Sequence, residues 1–131
     1  MEKEQTRIEQ LVEFLPKTSL CFISIGNVVA IPFGEITHIS KYDNETVIYA
    51  GTNSYRTHHN LQEIMNDLPV NDFFRIHKSH VISLRYMNGV KRKRIRVGEY
   101  YLSLSNYYKV QLIRRLGERL EKEYEFFTSP K

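Results

Sequence analysis

At 131 residues with 41% hydrophobic side chains, the chain can fill one core, and a single domain is the default. It contains no apolar run near the roughly eighteen residues of a membrane span and no apolar signal region in its first residues, MEKEQTRIEQ, and a lone Cys21 excludes an intramolecular disulfide framework. These exclusions point to a cytoplasmic protein without a membrane partner. The net charge of +4 hides a segregation: residues 75–115 carry eleven basic residues against one acid, Glu99, while the remainder is net −6. A cationic segment between acidic flanks orients on a polyanion before any specific contact forms.

Residues 1–16 read as an N-terminal helix or linker remnant and residues 17–131 as the domain. Ile8, Leu11, Val12 and Leu15 recur at helical spacing before Pro16. That helix covers the core, pairs with a second copy or ends a linker; the sequence does not choose. LCFISI at 20–25 is a strand, Gly26-Asn27 a turn, and Val28 to Pro32 a second strand. A third strand places Ile36, His38 and Ser40 on one face and Thr37, Ile39 and Lys41 on the other. Tyr42 to Glu45 is turn-prone, Val47 to Ala50 a fourth strand, and Tyr55-Arg56-Thr57 starts back. Short strands separated by close turns argue for antiparallel β-structure.

One internal helix interrupts them. Asn60 is its N-cap, Glu63 completes a capping box, and Leu61, Ile64, Met65 and Leu68 form an apolar stripe ahead of Pro69. FFRIHKSHVISL at 73–84 then runs from aromatics through Arg75, His77, Lys78, Ser79 and His80 back to apolar residues. Two strands meeting at a polar, basic corner read this way, and Lys, Ser and His there can reach phosphates or base edges. Asn88-Gly89 is the best turn dipeptide in the chain. Lys91, Arg92, Lys93 and Arg94 follow, with Arg96, as an exposed hairpin rim that discourages edge pairing and attracts phosphate. Tyr100 to Ser105 alternates as a strand. Ser105 or Asn106 caps a final helix with a stripe of Ile113, Leu116 and Leu120, weakened at Gly117 by about 1 kcal/mol relative to Ala. The fold expected is mainly β, with antiparallel sheets, one short internal helix and amphipathic helices at both termini, the C-terminal one starting near 105.

Four stretches, GEITHIS at 34–40, YRTHHNLQEIMNDLP at 55–69, FFRIHKSHVISLRYM at 73–87 and LSLSNYYK at 102–109, resemble the LytTR DNA-binding domain of bacterial transcription regulators. The block F-x-R-x-H-K-S carries most of the specificity. The resemblance implies elongated β-sheets whose inter-strand loops, rather than a recognition helix, enter successive major grooves of double-stranded DNA. It matches the polar loop Asp43 to Thr46, with Asn44 and Thr46 as its candidate contacts, to the first loop, Lys78 after His77 to the second, and Ser105 with Asn106 to the third; Arg75, Ser79, His80, Tyr107 and Lys109 beside them are further candidate DNA contacts. Lys91, Arg92, Lys93 and Arg94 are candidate phosphate contacts. Ser105-Asn106-Tyr107 stands where the family often has Arg or Lys, which either removes the third base contact or moves its preference from guanine toward adenine. The stretch from Met87 to Leu102 is shorter than usual. The chain leaves no room for the receiver domain common upstream, so it reads as a stand-alone regulator or the DNA-binding part of one, under a sensor kinase in the latter case.

Other readings attach to single residues. Arg75 faces phosphate or pairs with Glu35 or Asp72; His77 touches DNA or bonds the backbone to shape the corner. His58, His59, His77, His80 and Cys21 match no closed four-ligand zinc pattern, so no metal or cofactor is expected, and no nucleophile–base arrangement suggests an enzyme. A rival function is a protein-interaction module on the same fold that forms homodimers through the terminal helices and binds nucleic acid without specificity. RNA binding is a third; the tyrosines at 100, 101, 107 and 108 cluster at a strand–helix junction instead of spreading over an open sheet.

Overall fold

The computed structural model describes residues 18–24 and 26–128, with Ile23 and residues 118–128 as backbone only. The helix expected over 2–15 lies outside the described residues. Ten strands and two α-helices follow in order: β1 (Ser19–Ser24), β2 (Asn27–Pro32), β3 (Ile36–Tyr42), β4 (Glu45–Ala50), β5 (Asn53–Thr57), α1 (Leu61–Asn66), β6 (Phe73–His77), β7 (His80–Ser83), β8 (Met87–Lys91), β9 (Arg94–Val97), β10 (Tyr100–Ser103) and α2 (Asn106–Thr128). They form a β1-β2 hairpin, a central sheet ordered β5-β4-β3-β7-β6 and a three-stranded sheet ordered β10-β9-β8. Every strand pair is antiparallel.

Two cores lie against the central sheet, and strand alternation sorts residues between them. Ile39, Ile48 and Val81 join Leu20, Phe22 and Ile31 of the β1-β2 hairpin and Leu61, Ile64 and Leu68 of the α1 region. Ile82, next to Val81 in β7, faces the other way, with Ile76, Ile95, Val97, Leu102, Leu104 and Leu112. Burying one such side chain is worth about 1.5–3 kcal/mol, so the central sheet is clamped from both sides. The expected capping box is present: the Asn60 side chain accepts from the Glu63 N–H at 2.8 Å, and the Asn60 N–H donates to the Glu63 carboxylate at 3.1 Å. Those bonds hold the Glu63 carboxyl below its ordinary range, with the His59 ring adding to the effect.

The structure revises three expectations. Ile36 and Ile39 share a core, whereas His38 and Ser40 lie on the opposite side of β3 from Ile39. The register shifts between Ile36 and His38, so Thr37 is an extra residue that resets the alternation. Asn88-Gly89 is not a turn: both lie inside β8, where a shift between Met87 and Gly89 absorbs Asn88, and the chain reverses at Arg92-Lys93. Among the described side chains of α2 the deepest is Leu112, 1% exposed, while Ile113 is only half-buried. Among the described residues no helix is long and apolar enough to cross a membrane, and no group of three His, Cys, Asp or Glu residues could hold a metal.

Candidate nucleic-acid interface

Backbone pairing brings the polar turns of the chain to one end of the central sheet. β3 and β7 are antiparallel, with Ser40 opposite His80, so the end of β3 meets the start of β7. The β3-β4 turn, Asp43-Asn44, therefore stands beside the β6-β7 turn, Lys78-Ser79, and the Lys41 N–H donates to the Ser79 carbonyl at 2.9 Å. On the other side of the Lys78 turn, the Ser105 N–H donates to the carbonyl of Ile76, the extra residue where the β6-β7 register shifts. The Leu104 N–H donates to the Lys93 carbonyl at 2.8 Å, which sets the Arg92-Lys93 turn against the same junction. The Lys109 Nζ reaches the Arg92 carbonyl at 3.3 Å. One strip results, running from Asn44 through Lys41, Lys78, Ser105 and Asn106 to Lys93 and Arg92.

The Lys78 turn is braced from beneath. Arg75 donates from Nε to the His77 carbonyl at 3.3 Å and from its Nη2 to the Lys78 carbonyl at 2.5 Å. It pairs with neither Glu35 nor Asp72; its guanidinium is committed to the turn. The His77 Nδ1 accepts from the Ser79 N–H at 3.0 Å, which fixes that nitrogen as unprotonated. His80 sits 2.8 Å from the Ser40 hydroxyl through Nδ1, and burial, with the neighbouring His77, lowers its pKa. His38 lies deeper on the same side of the sheet, 1% exposed and stacked on Tyr49 at 4.2 Å between ring centroids, with an unpartnered Nε2. Burial, then the nearby His80, pushes its pKa down to about 4, so it is a neutral part of the packing. Tyr49 is driven the other way, up to about 12, by burial and by its hydrogen bond with Tyr42.

The expected site residues therefore separate. Asn44, Lys78, Asn106 and Tyr107 are exposed on the strip, as are Lys91, Arg92, Lys93 and Arg94. Ser79, Ser105 and Lys109 are half-buried at its base. The Ser105 hydroxyl accepts from the Tyr108 N–H at 3.4 Å, which makes Ser105 the N-cap of α2 and leaves Asn106 outward. Arg75, His77 and His80 form the support beneath Lys78. Thr46 does not belong to the strip: it is 2% exposed, between Lys41 and Thr57 in the sheet. Asp43 adopts φ 50°, a left-handed conformation that Asp tolerates, and this turns Asn44 outward in a two-residue reversal. Glu45, the acid beside it, is neutralised by Arg56 at 2.6 Å. Sequence reasoning missed Lys41; only the β3-β7 pairing places it beside Lys78, and no local pattern reports that pairing.

A family model described as the LytTr DNA-binding domain matches residues 26–124. No curated protein sequence matches the chain. Among solved structures, a LytTr DNA-binding domain from Bacillus cereus is similar in fold, with a TM-score of 0.67 and 18% identity over 78% of this chain and 99% of that one.

Proposed function

We propose, from the premise that this chain belongs to the LytTr DNA-binding domain family, that it regulates transcription in the cytoplasm by binding double-stranded DNA at a specific sequence. In this reading the three turns at the end of the sheet enter the major groove. Lys78, Asn44 and Asn106 discriminate bases, with Asn106 suited to the adenine edge. Lys41, Lys91, Arg92, Lys93 and Arg94 neutralise phosphates and supply most of the affinity. The observation that carries the proposal is the strip itself: separate cationic and amide-bearing turns share one edge, and of the two acids at the first turn Glu45 is paired with Arg56 while Asp43 is exposed.

Dimerisation belongs to the same proposal. Val110 on α2 is 58% exposed, an apolar position at which a second copy packs in this reading. Where a receiver domain is joined upstream, a sensor kinase would govern the strip. Selection of binding sites from random duplexes tests the reading. A defined motif, or two half-sites about 10–10.5 bp apart for a dimer, is the expected result; a pool with no enriched motif, held as tightly as any unrelated duplex, overturns it.

A further inference from the structure

The three-stranded sheet presents an outer face that shares Lys91 and Arg94 with the duplex-binding strip and adds Arg96 and Tyr101, which the strip does not use. Its inner side is apolar, with Ile95 and Leu102 paired across strands and buried. Its outer side follows from the register as two rows: Lys91, Arg94 and Ser103 in one, and Gly89, Arg96 and Tyr101 in the next. All six residues are exposed, and among the described residues none is in an ion pair. Tyr101 is 54% exposed, with the Arg94 and Arg96 guanidinium carbons 5.7 and 5.8 Å from its ring centroid. Gly89 and Ser103 are small, so the tall neighbours of the ring in these two rows are Arg94 and Arg96. The objection that the tyrosines crowd a strand–helix junction fails for this one, which stands on an open sheet face.

We infer that this face binds single-stranded nucleic acid. The sheet is about 10 Å across and about as long, room for one or two bases. Tyr101 offers the stacking surface, and Arg94, Arg96 and Lys91 flank it as phosphate partners, the arrangement that sequence-tolerant single-strand binding requires. A duplex has phosphates but no exposed base face, so it would leave Tyr101 unused; an acidic protein would need only the cations. Arg96 already donates through Nε to the Gly98 carbonyl at 3.1 Å, which holds its guanidinium over the sheet with the remaining N–H groups free for phosphate.

The test is fluorescence anisotropy of the whole chain with labelled ten-nucleotide oligothymidine and oligouridine, in variants whose thermal melts match the parent. Tyr101→Leu should weaken both by about fivefold or more, while Tyr101→Phe stays within about twofold because stacking needs the ring and not the hydroxyl. Arg94→Gln and Arg96→Gln should each lower the salt slope by about 0.7. Tighter binding of oligouridine assigns the face to RNA, and tighter binding of oligothymidine to single-stranded DNA. Tyr101→Leu should bind the selected duplex as the parent does, and Lys78→Ala should bind the oligonucleotides as the parent does, so this inference and the duplex reading fail separately. Parent-like oligonucleotide binding by Tyr101→Leu, or displacement by polyglutamate as effective as by an oligonucleotide of equal charge, overturns the inference.

Discussion

The Lys78-Ser79 and Arg92-Lys93 turns are both two-residue reversals at the same end of the molecule, and both carry cations, yet they are built differently. The first has one exposed cation on a frame of fixed hydrogen bonds: Arg75 holds two carbonyls, His77 holds the Ser79 N–H, and Lys41 holds the Ser79 carbonyl. The second has four exposed cations in a row and only its two turn carbonyls tied, to Lys109 and Leu104. Charge density alone favours the second as the centre of binding. Preorganisation favours the first, because a side chain that must match a base edge gains from a backbone that does not move, whereas phosphate attraction tolerates motion. Under the proposed function, the difference gives specificity to the Lys78 turn and general affinity to the Arg92-Lys93 turn.

Acid should separate the two turns most sharply, since His38 and His80, both held below the ordinary imidazole range by burial, lie beneath one and neither lies beneath the other. The unfolded His38 protonates near pH 6.5, but the folded one resists until about pH 4. Between those values the unfolded chain binds more protons, so stability falls as pH falls through that window and is fully present above it. A loss of roughly 2–3 kcal/mol from pH 7 to 4 in urea titrations is expected, with His80, shifted in the same direction, adding to it. His38→Leu, which cannot protonate, should show a flatter profile; an identical profile would remove His38 from the account.

Lys78→Ala should cost the selected duplex about 1–3 kcal/mol and leave unrelated duplexes nearly unaffected. An equal loss on both would turn Lys78 into one more phosphate contact. Arg75→Ala never touches DNA in this account, yet it should lower specific binding by about 1.5 kcal/mol by freeing two carbonyls of the turn. Its salt slope should stay that of the parent, and a slope reduced by about one would instead place Arg75 on a phosphate. At the other turn, Arg92→Ala and Lys93→Ala should each lower the slope by about 0.9 and weaken all duplexes alike. A change in sequence preference there would erase the contrast between the turns.

Much of this was legible in the chain. The capping box at Asn60 and Glu63 is local chemistry, and so is the reversal at Lys78-Ser79 between two apolar stretches. Tertiary pairing overrode other local signals. Asn88-Gly89 has the composition of a turn, but the β8-β9 register absorbs it as an irregularity and places the reversal among the cations. The same effect at Thr37 sends Ile36 and Ile39 into one core. The membership of the strip was visible as a set of polar, basic residues, but its division was not. Thr46 and Asn44 are two residues apart, one buried and one exposed, and Arg75 looks like a phosphate ligand until its partners are seen to be backbone carbonyls.

Amide chemical-shift mapping with the selected duplex tests the central assignment most directly. The largest changes should fall on Asn44, Lys78, Ser79, Ser105 and Asn106, with smaller, salt-sensitive ones at Arg92 and Lys93. Changes confined to the Arg92-Lys93 hairpin, with the Lys78 turn unmoved, would contradict it.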